Sequence, residues 1–142
     1  MKQADSDTIR DEVRARYASI ARQGGSCCCG DAANSCNPAY SADTLGYAKD
    51  DITDIPEGAD MGLGCGNPHA IAALKPGETV LDLGSGGGLD CFLASKRVGG
   101  KGKVIGVDMT ADMVSKARRA AKDGGYTNVE FRLGEIEYLP VA

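Results

Sequence analysis

Between residues 79 and 133, short apolar runs alternate with longer amphipathic stretches, and glycine-bearing loops separate them. Short apolar runs are typical of buried strands, whereas apolar residues that recur every three or four positions indicate helices. Alternation of strand and helix predicts a parallel sheet with right-handed crossovers. The predicted elements are a strand at 79–83, a helix at about 87–98, a strand at 103–107, a helix at about 110–123 and a strand at 128–133.

Upstream of residue 79 the pattern is less regular and mostly helical. The sequence predicts a first helix over 5–23, because apolar residues recur there at helical spacing: Ile9, Val13, Tyr17 and Ile20. Residues 26–39 have no periodicity and are predicted to form a loop. A shorter helix is predicted within 45–55, because Pro56 would end it, and another is predicted over 68–74.

Composition and charge narrow the class of protein. The chain of 142 residues has a net charge of −4 and no lysine or arginine cluster, which argues against a nucleic-acid partner or an anionic membrane surface. No apolar run approaches the roughly 18 residues that a membrane-spanning helix needs, and no signal-peptide core is present. We therefore expect a globular cytoplasmic protein whose six cysteines serve as ligands, nucleophiles or buried thiols.

The glycine turn after the first predicted strand carries the clearest chemistry. Asp82 lies in the strand, and four glycines follow within five positions: Gly84, Gly86, Gly87 and Gly88. A strand, a glycine turn and a helix in this order bring a ligand against backbone amides at a helix N-terminus. The plainer alternative is a tight turn that binds nothing.

Two cofactor classes compete for this turn. A dinucleotide fingerprint needs a third glycine at position 89, which is Leu89, and the Asp82 carboxylate would repel a pyrophosphate. S-adenosylmethionine is cationic and has no phosphate, so it suits an acidic neighbour better.

Two more carboxylates follow the later strands. Asp108 ends the second predicted strand, where it can accept hydrogen bonds from both ribose hydroxyls. Glu135 follows the third strand and could accept from an adenine amino group, although a surface carboxylate is the alternative. Together with the D-x-G-x-G-x-G pattern that begins at Asp82, these features resemble the class I S-adenosylmethionine-dependent methyltransferases.

The cysteines are unevenly spread along the chain. Cys65 precedes a predicted helix N-terminus, where the helix dipole favours a thiolate, and glycines on both sides allow a ligand to approach. A small buried hydrophobe is the alternative for a lone cysteine, and it is our interpretation of Cys91. A zinc pair of Cys65 with His69 lacks the other ligands of a tetrahedral site. Because thiolates select soft ions, a thiol-bound metalloid is the expected methyl acceptor.

The chain resembles the arsenite methyltransferases over nearly its whole length. The motifs that carry this resemblance are Leu45-Gly-Tyr47, the block Ile55-Pro-Glu-Gly-Ala-Asp-Met-Gly-Leu-Gly-Cys-Gly-Asn-Pro68, and the runs 80–93, 104–117 and 128–139. By this resemblance Cys65 is the catalytic, arsenic-binding cysteine, and Cys28 pairs with it, with Cys27 or Cys29 as alternatives. The cofactor-binding positions that follow from the resemblance and the glycine turn are Asp82, Gly84, Ser85, Gly86, Gly88, Asp108, Met109, Glu135 and Ile136.

The resemblance also implies a fold. It is a Rossmann-like class I methyltransferase fold, an α/β three-layer sandwich, of which this chain would be the N-terminal half with a helical and loop-rich, cysteine-rich extension. Residues 1–75 would form the arsenic-binding region, and residues 76–142 the first half of the S-adenosylmethionine-binding domain. Because three strands make only half of such a sheet, the first strand is expected at an open edge.

The implied reaction is attack of the arsenic lone pair on the methyl carbon of S-adenosylmethionine. Cysteines would hold trivalent arsenic in line, and thioredoxin or glutathione would reset the disulfides formed. In the family, further arsenic-binding cysteines lie beyond the third strand, so we expect an incomplete site and little or no turnover from this chain alone. Two alternatives stay open: a methyltransferase for another small molecule, and a thiol-rich metalloid or zinc module without catalysis.

Overall fold

The computed structural model describes residues 5–23, 42, 44–64, 66–68 and 72–141. The predicted arsenic ligands, Cys65 and Cys28 with its alternatives Cys27 and Cys29, lie outside the described residues, as does His69. The helices and strands are α1 (Ser6–Gln23), α2 (Lys49–Ile52), β1 (Thr79–Leu83), α3 (Leu89–Val98), β2 (Lys103–Asp108), α4 (Ala111–Asp123) and β3 (Val129–Leu133).

The three strands form a parallel sheet in the order β1-β2-β3, as the alternation of elements predicts. Leu81 of β1 pairs with Ile105 of β2, and Ile105 pairs in turn with Glu130 of β3. Leu81 and Leu83 are 40% and 44% exposed, because they lie on the face of β1 opposite the one on which Val80 packs against the core. The bounds of β1 to β3, α3 and α4 differ from the predicted ones by at most two residues.

The core lies between the sheet and helices α3 and α4. Phe92 of α3 and Phe131 of β3 are both buried, and their rings meet edge to face with centroids 5.7 Å apart. The buried face of α4 consists of Met113, Val114, Ala117 and Ala121. Cys91 is fully buried in the same core, which confirms the interpretation of this residue as packing.

Helix α1 forms as predicted, and its C-terminal half packs against α4. Ile20 of α1, Met61 and Met113 of α4 form a second buried cluster. No helix among the described residues is long and apolar enough to cross a membrane.

The two short helices upstream of β1 are shorter than predicted. The helix within 45–55 contains only the four residues of α2, since Gly46 has φ +83° and the amides of Leu45 and Tyr47 bond to the Ala42 carbonyl in a turn. Near 68–74 the amide of Ala72 bonds to the Pro68 carbonyl at 2.9 Å, but Ala73 has φ +42°, so the helix does not reach residue 74.

Candidate cofactor site

A cavity of about 410 Å³ lies where the chain leaves all three strands. Carboxyl ends of parallel strands are the usual position of ligand sites in open α/β sheets. Six of the predicted cofactor-binding residues line this cavity: Gly84, Gly86, Asp108, Met109, Glu135 and Ile136. The fold thus brings together residues that follow β1, β2 and β3.

The carboxylate of Asp108 is fixed by two backbone amides. Its Oδ2 accepts a hydrogen bond from the Gly86 amide at 3.0 Å, and its Oδ1 accepts one from the Thr110 amide at 2.8 Å. A carboxylate has about four acceptor positions, so lone pairs stay available for hydroxyl donors. Asp108 therefore links the end of β2 to the glycine turn and presents a preorganised acceptor to the cavity.

The first glycines of the turn leave room for a ligand. Gly84 has φ +75° and lines the cavity, and a Cβ built on it would meet no atom within 4 Å. A side chain at this position would occupy that open space. The turn is thus shaped for close approach of a ligand to its backbone.

The amides of the turn are already engaged within the protein. Those of Gly84 and Ser85 bond to the Val107 carbonyl at 2.8 and 3.1 Å, and that of Gly88 bonds to the Ser85 carbonyl at 2.9 Å. With the Gly86 amide bound to Asp108 as well, four amides that a phosphate would need are occupied. This arrangement disfavours a pyrophosphate and agrees with a cofactor that has none.

Three predicted cofactor residues do not line the cavity. Gly88 allows close packing, because a Cβ there would lie 2.7 Å from Phe131 Cζ and 2.9 Å from Phe92 Cε2. The Ser85 hydroxyl is buried beside Gly106 and is the one buried side-chain oxygen or nitrogen without a hydrogen-bond partner among the described residues. Asp82 accepts a hydrogen bond from the Cys91 thiol, with 3.2 Å between Oδ2 and Sγ.

The Cys91 thiol is held in its protonated form. Burial raises its pKa well above the usual value, and the neighbouring Asp82 charge raises it further. A protonated thiol can donate to Asp82, so Cys91 orients this carboxylate in addition to filling the core.

The sequence did not indicate several residues of the cavity wall. Arg10 and Tyr17 come from α1, and Leu63, Thr110 and Glu137 also contribute. The Asp108-x-Thr110 spacing is a signal that could have been used, since an aspartate commonly accepts from the amide two residues on. Nothing local indicates that α1 lies at this end of the sheet.

A hydroxyl clasp ties the segment before α2 to the residues next to position 65. The Tyr47 hydroxyl donates to Asp90 Oδ1 at 2.6 Å and lies 3.1 Å from the Gly66 carbonyl oxygen. The Asn67 side chain donates to the Gly46 carbonyl at 3.1 Å. Burial and the hydrogen bond to Asp90 raise the pKa of Tyr47, so its hydroxyl remains a donor.

The residues present fit S-adenosylmethionine. A nucleoside with two hydroxyls would find open space at Gly84 and a fixed acceptor at Asp108. The cavity also offers apolar lining from Val107, Met109 and Ile136. The engaged amides of the glycine turn disfavour a phosphate.

Comparisons with known proteins agree with this interpretation. A family model described as a methyltransferase domain matches residues 74–142. The arsenite methyltransferase of Halobacterium salinarum is 52% identical over 97% of this chain, which covers 38% of that protein. The arsenite methyltransferase of Aquipseudomonas alcaligenes is 44% identical over 59% of this chain, which covers 25% of that protein. The chain thus spans well under half the length of these two relatives.

A solved structure supports the fold. The crystal structure of a SAM-dependent methyltransferase from Aquifex aeolicus superposes with a TM-score of 0.50 at 28% identity, over 74% of this chain and 50% of that one. Together with the family model, it confirms the class I methyltransferase fold predicted from the sequence.

Proposed function

Because this chain belongs to the S-adenosylmethionine-dependent arsenite methyltransferase family, we propose that the protein methylates trivalent arsenic, as arsenite or its thiol conjugates. The products would be methylated arsenicals, and the role would be arsenic detoxification. The observation that carries the proposal is the cavity in which residues following all three strands meet around the fixed carboxylate of Asp108.

The proposal gives the cavity residues distinct tasks. Asp108 accepts from hydroxyls, while Gly84 and Gly86 let the cofactor approach the backbone. Met109 and Ile136 supply apolar contact, and Glu135 contributes an acceptor. Asp82 and the buried hydroxyl of Ser85 would support the turn without lining the cavity, and Gly88 would allow the turn to pack on the core. When bound, S-adenosylmethionine supplies a methyl group on a sulfonium centre.

We assign the acceptor site to Cys65 with Cys28, or with Cys27 or Cys29 in its place. Support comes from the clasp on the neighbouring residues, where Tyr47 and Asn67 hold the chain at positions 66 and 67. Asp90, which accepts the hydrogen bond from the Tyr47 hydroxyl, is the second residue of α3, the helix that follows the glycine turn. The clasp therefore relates the Cys65 segment to the cofactor turn. Bound trivalent arsenic already has a lone pair, so the residues need to position it and need not remove a proton.

The remaining parts of the proposal concern organisation and partners. Residues 1–75 would be the arsenic-binding region and 76–142 the first half of the cofactor-binding domain. A thiol such as thioredoxin or glutathione would reduce the cysteines between turnovers in the cytoplasm. No nucleic acid is expected to take part, in line with the net charge of −4.

Arsenite binding tests the acceptor assignment. Equilibrium dialysis of the reduced protein with arsenite should show binding that Cys65→Ser abolishes and that Cys36→Ser, a thiol outside the assignment, leaves in place. Binding that survives Cys65→Ser would refute the assignment.

A methyltransferase for a different small molecule is the alternative that the cavity alone also supports. It predicts binding of S-adenosylhomocysteine without any binding of arsenite, so the two titrations together separate the two functions.

A further inference from the structure

Helix α1 forms one wall of the cavity that lies against the glycine turn. Arg10 and Tyr17 line that cavity together with Gly84 and Asp108. Tyr17 is 40% exposed although it belongs to the apolar stripe of α1. Part of this stripe therefore faces the cavity and is not covered by protein.

The two halves of α1 are held by different forces. The C-terminal half is fixed by apolar burial, since Ile20 is 6% exposed and packs on Met61 and Met113. In the N-terminal half Ile9 is 49% exposed, so apolar contacts contribute little there. Ion pairs hold this half instead.

Those ion pairs join α1 to the segment that follows β3. Arg10 Nη2 lies 2.8 Å from Glu137 Oε1, and Arg14 Nη2 lies 2.7 Å from Glu135 Oε1. Each guanidinium also contacts an acid one turn earlier on α1 at 3.0 Å, namely Asp7 for Arg10 and Asp11 for Arg14. The acids on α1 orient the arginines, so that their second nitrogen points at a glutamate of the cavity wall.

We propose that Arg10 and Arg14 are positioning residues of the cofactor site, which hold the N-terminal half of α1 as a closing wall over the bound nucleoside. The inference rests on the proposed function, because it takes the cavity to be the S-adenosylmethionine site. Arg10 acts on Glu137, and Arg14 acts on Glu135, which the proposed function gives to the cofactor.

One consequence is coupling between the cofactor and the docking of α1. A cofactor that contacts α1 stabilises the docked helix, and by linkage a docked helix binds the cofactor more tightly. Occupancy of the cavity thus favours the docked position of the N-terminal half of α1.

The test is titration with S-adenosylhomocysteine by isothermal calorimetry. Arg10→Gln/Arg14→Gln removes both pairs, and Arg16→Gln/Arg119→Gln is the matched control, since it removes the same charge from exposed arginines for which the described structure records no ion pair. We expect roughly fivefold weaker binding in the first variant and less than about twofold change in the control, because exposed pairs couple weakly.

Salt dependence gives a readout that a general loss of structure does not. Affinity of the parent chain should fall between about 50 mM and about 0.5 M salt, and this fall should be absent in the Gln double variant. Arg10→Lys/Arg14→Lys keeps the charges and should recover most of the affinity. Far-UV circular dichroism confirms that α1 still forms.

Three outcomes would overturn the inference: unchanged affinity in Arg10→Gln/Arg14→Gln, an equal loss in the control, or an unchanged salt dependence. If the parent chain binds S-adenosylhomocysteine and Asp108→Ala does not, such a result defeats only the role of α1. Absence of binding in the folded parent chain would defeat the proposed function itself.

Discussion

The two ends of the glycine turn look alike in sequence and differ in structure. At Gly84 a Cβ would meet nothing within 4 Å, whereas at Gly88 it would lie 2.7 Å from the Phe131 ring. Both residues have positive φ, +75° and +95°. The first end therefore leaves room for a ligand and the second packs in the core, so a count of glycines alone does not define a cofactor site.

Substitution of Gly88, at the packed end of the turn, should have the largest effect on stability. Gly88→Ala forces a Cβ into Phe131 and Phe92 at a left-handed position, and we expect a loss of about 3 kcal/mol in the free energy of unfolding. Urea denaturation measures this loss. A cost below about 1 kcal/mol would show that the ring contacts relax easily and would contradict the packing role of Gly88.

Substitution of Gly84, at the open end of the turn, should affect ligand binding more than stability. Gly84→Ala carries a similar backbone penalty of about 1 kcal/mol but meets no protein atom, so the fold should persist. Its Cβ occupies space beside the cavity, and affinity for S-adenosylhomocysteine should fall at least about tenfold. Unchanged affinity in calorimetry would place the ligand elsewhere.

The clasp at Tyr47 tests how the turn is connected to the acceptor side. Tyr47→Phe removes the hydroxyl that bonds to Asp90 and is expected to cost about 1 kcal/mol of stability. Arsenite affinity should fall as well, while affinity for S-adenosylhomocysteine stays. Tyr138→Phe is the control, since this side chain is 81% exposed. Equal arsenite affinity in both variants would argue against the clasp.

The smallest expected effect lies on β3, away from the turn. Lys103 and Arg132 each contact Glu130 at 2.8 Å, and hydrogen bonds from Arg132 and then Lys103 lower the pKa of Glu130 to about 2. Its contribution is present above pH 4.5 and is lost as the pH falls towards 2. The size is about 0.5 kcal/mol because the carboxylate is half exposed.

Denaturation at several pH values isolates this contribution. Glu130→Gln should lack it, and Glu57→Gln, which changes an exposed glutamate, should retain it. The same acid dependence in both variants would contradict the assignment.

The sheet could be predicted because its signals are local. The strands β1 and β2 are short, mostly apolar runs, and β3 alternates apolar with charged residues. Each strand ends at or just before a glycine or an acid, so the predicted bounds of β1 to β3 lie within two residues of the observed ones. The carboxylate of Asp108 was found for the same reason, since it ends β2 and strand ends meet at one edge.

The α1 wall could not be predicted because its contacts are distant in sequence. Arg14 meets Glu135 across 121 residues and Arg10 meets Glu137 across 127 residues, without any periodic signal. The packing role of Gly88 likewise depends on Phe131, which belongs to β3. The helix predicted within 45–55 is longer than α2, because the sequence does not show that Gly46 adopts a left-handed conformation.

We expect the cavity around Asp108 to bind S-adenosylmethionine. Calorimetric titration with S-adenosylhomocysteine should show saturable binding that Asp108→Ala abolishes and that Asp123→Ala, at the exposed end of α4, preserves. Full affinity in a folded Asp108→Ala variant, or no binding to the folded parent chain, would show that this cavity is not the cofactor site.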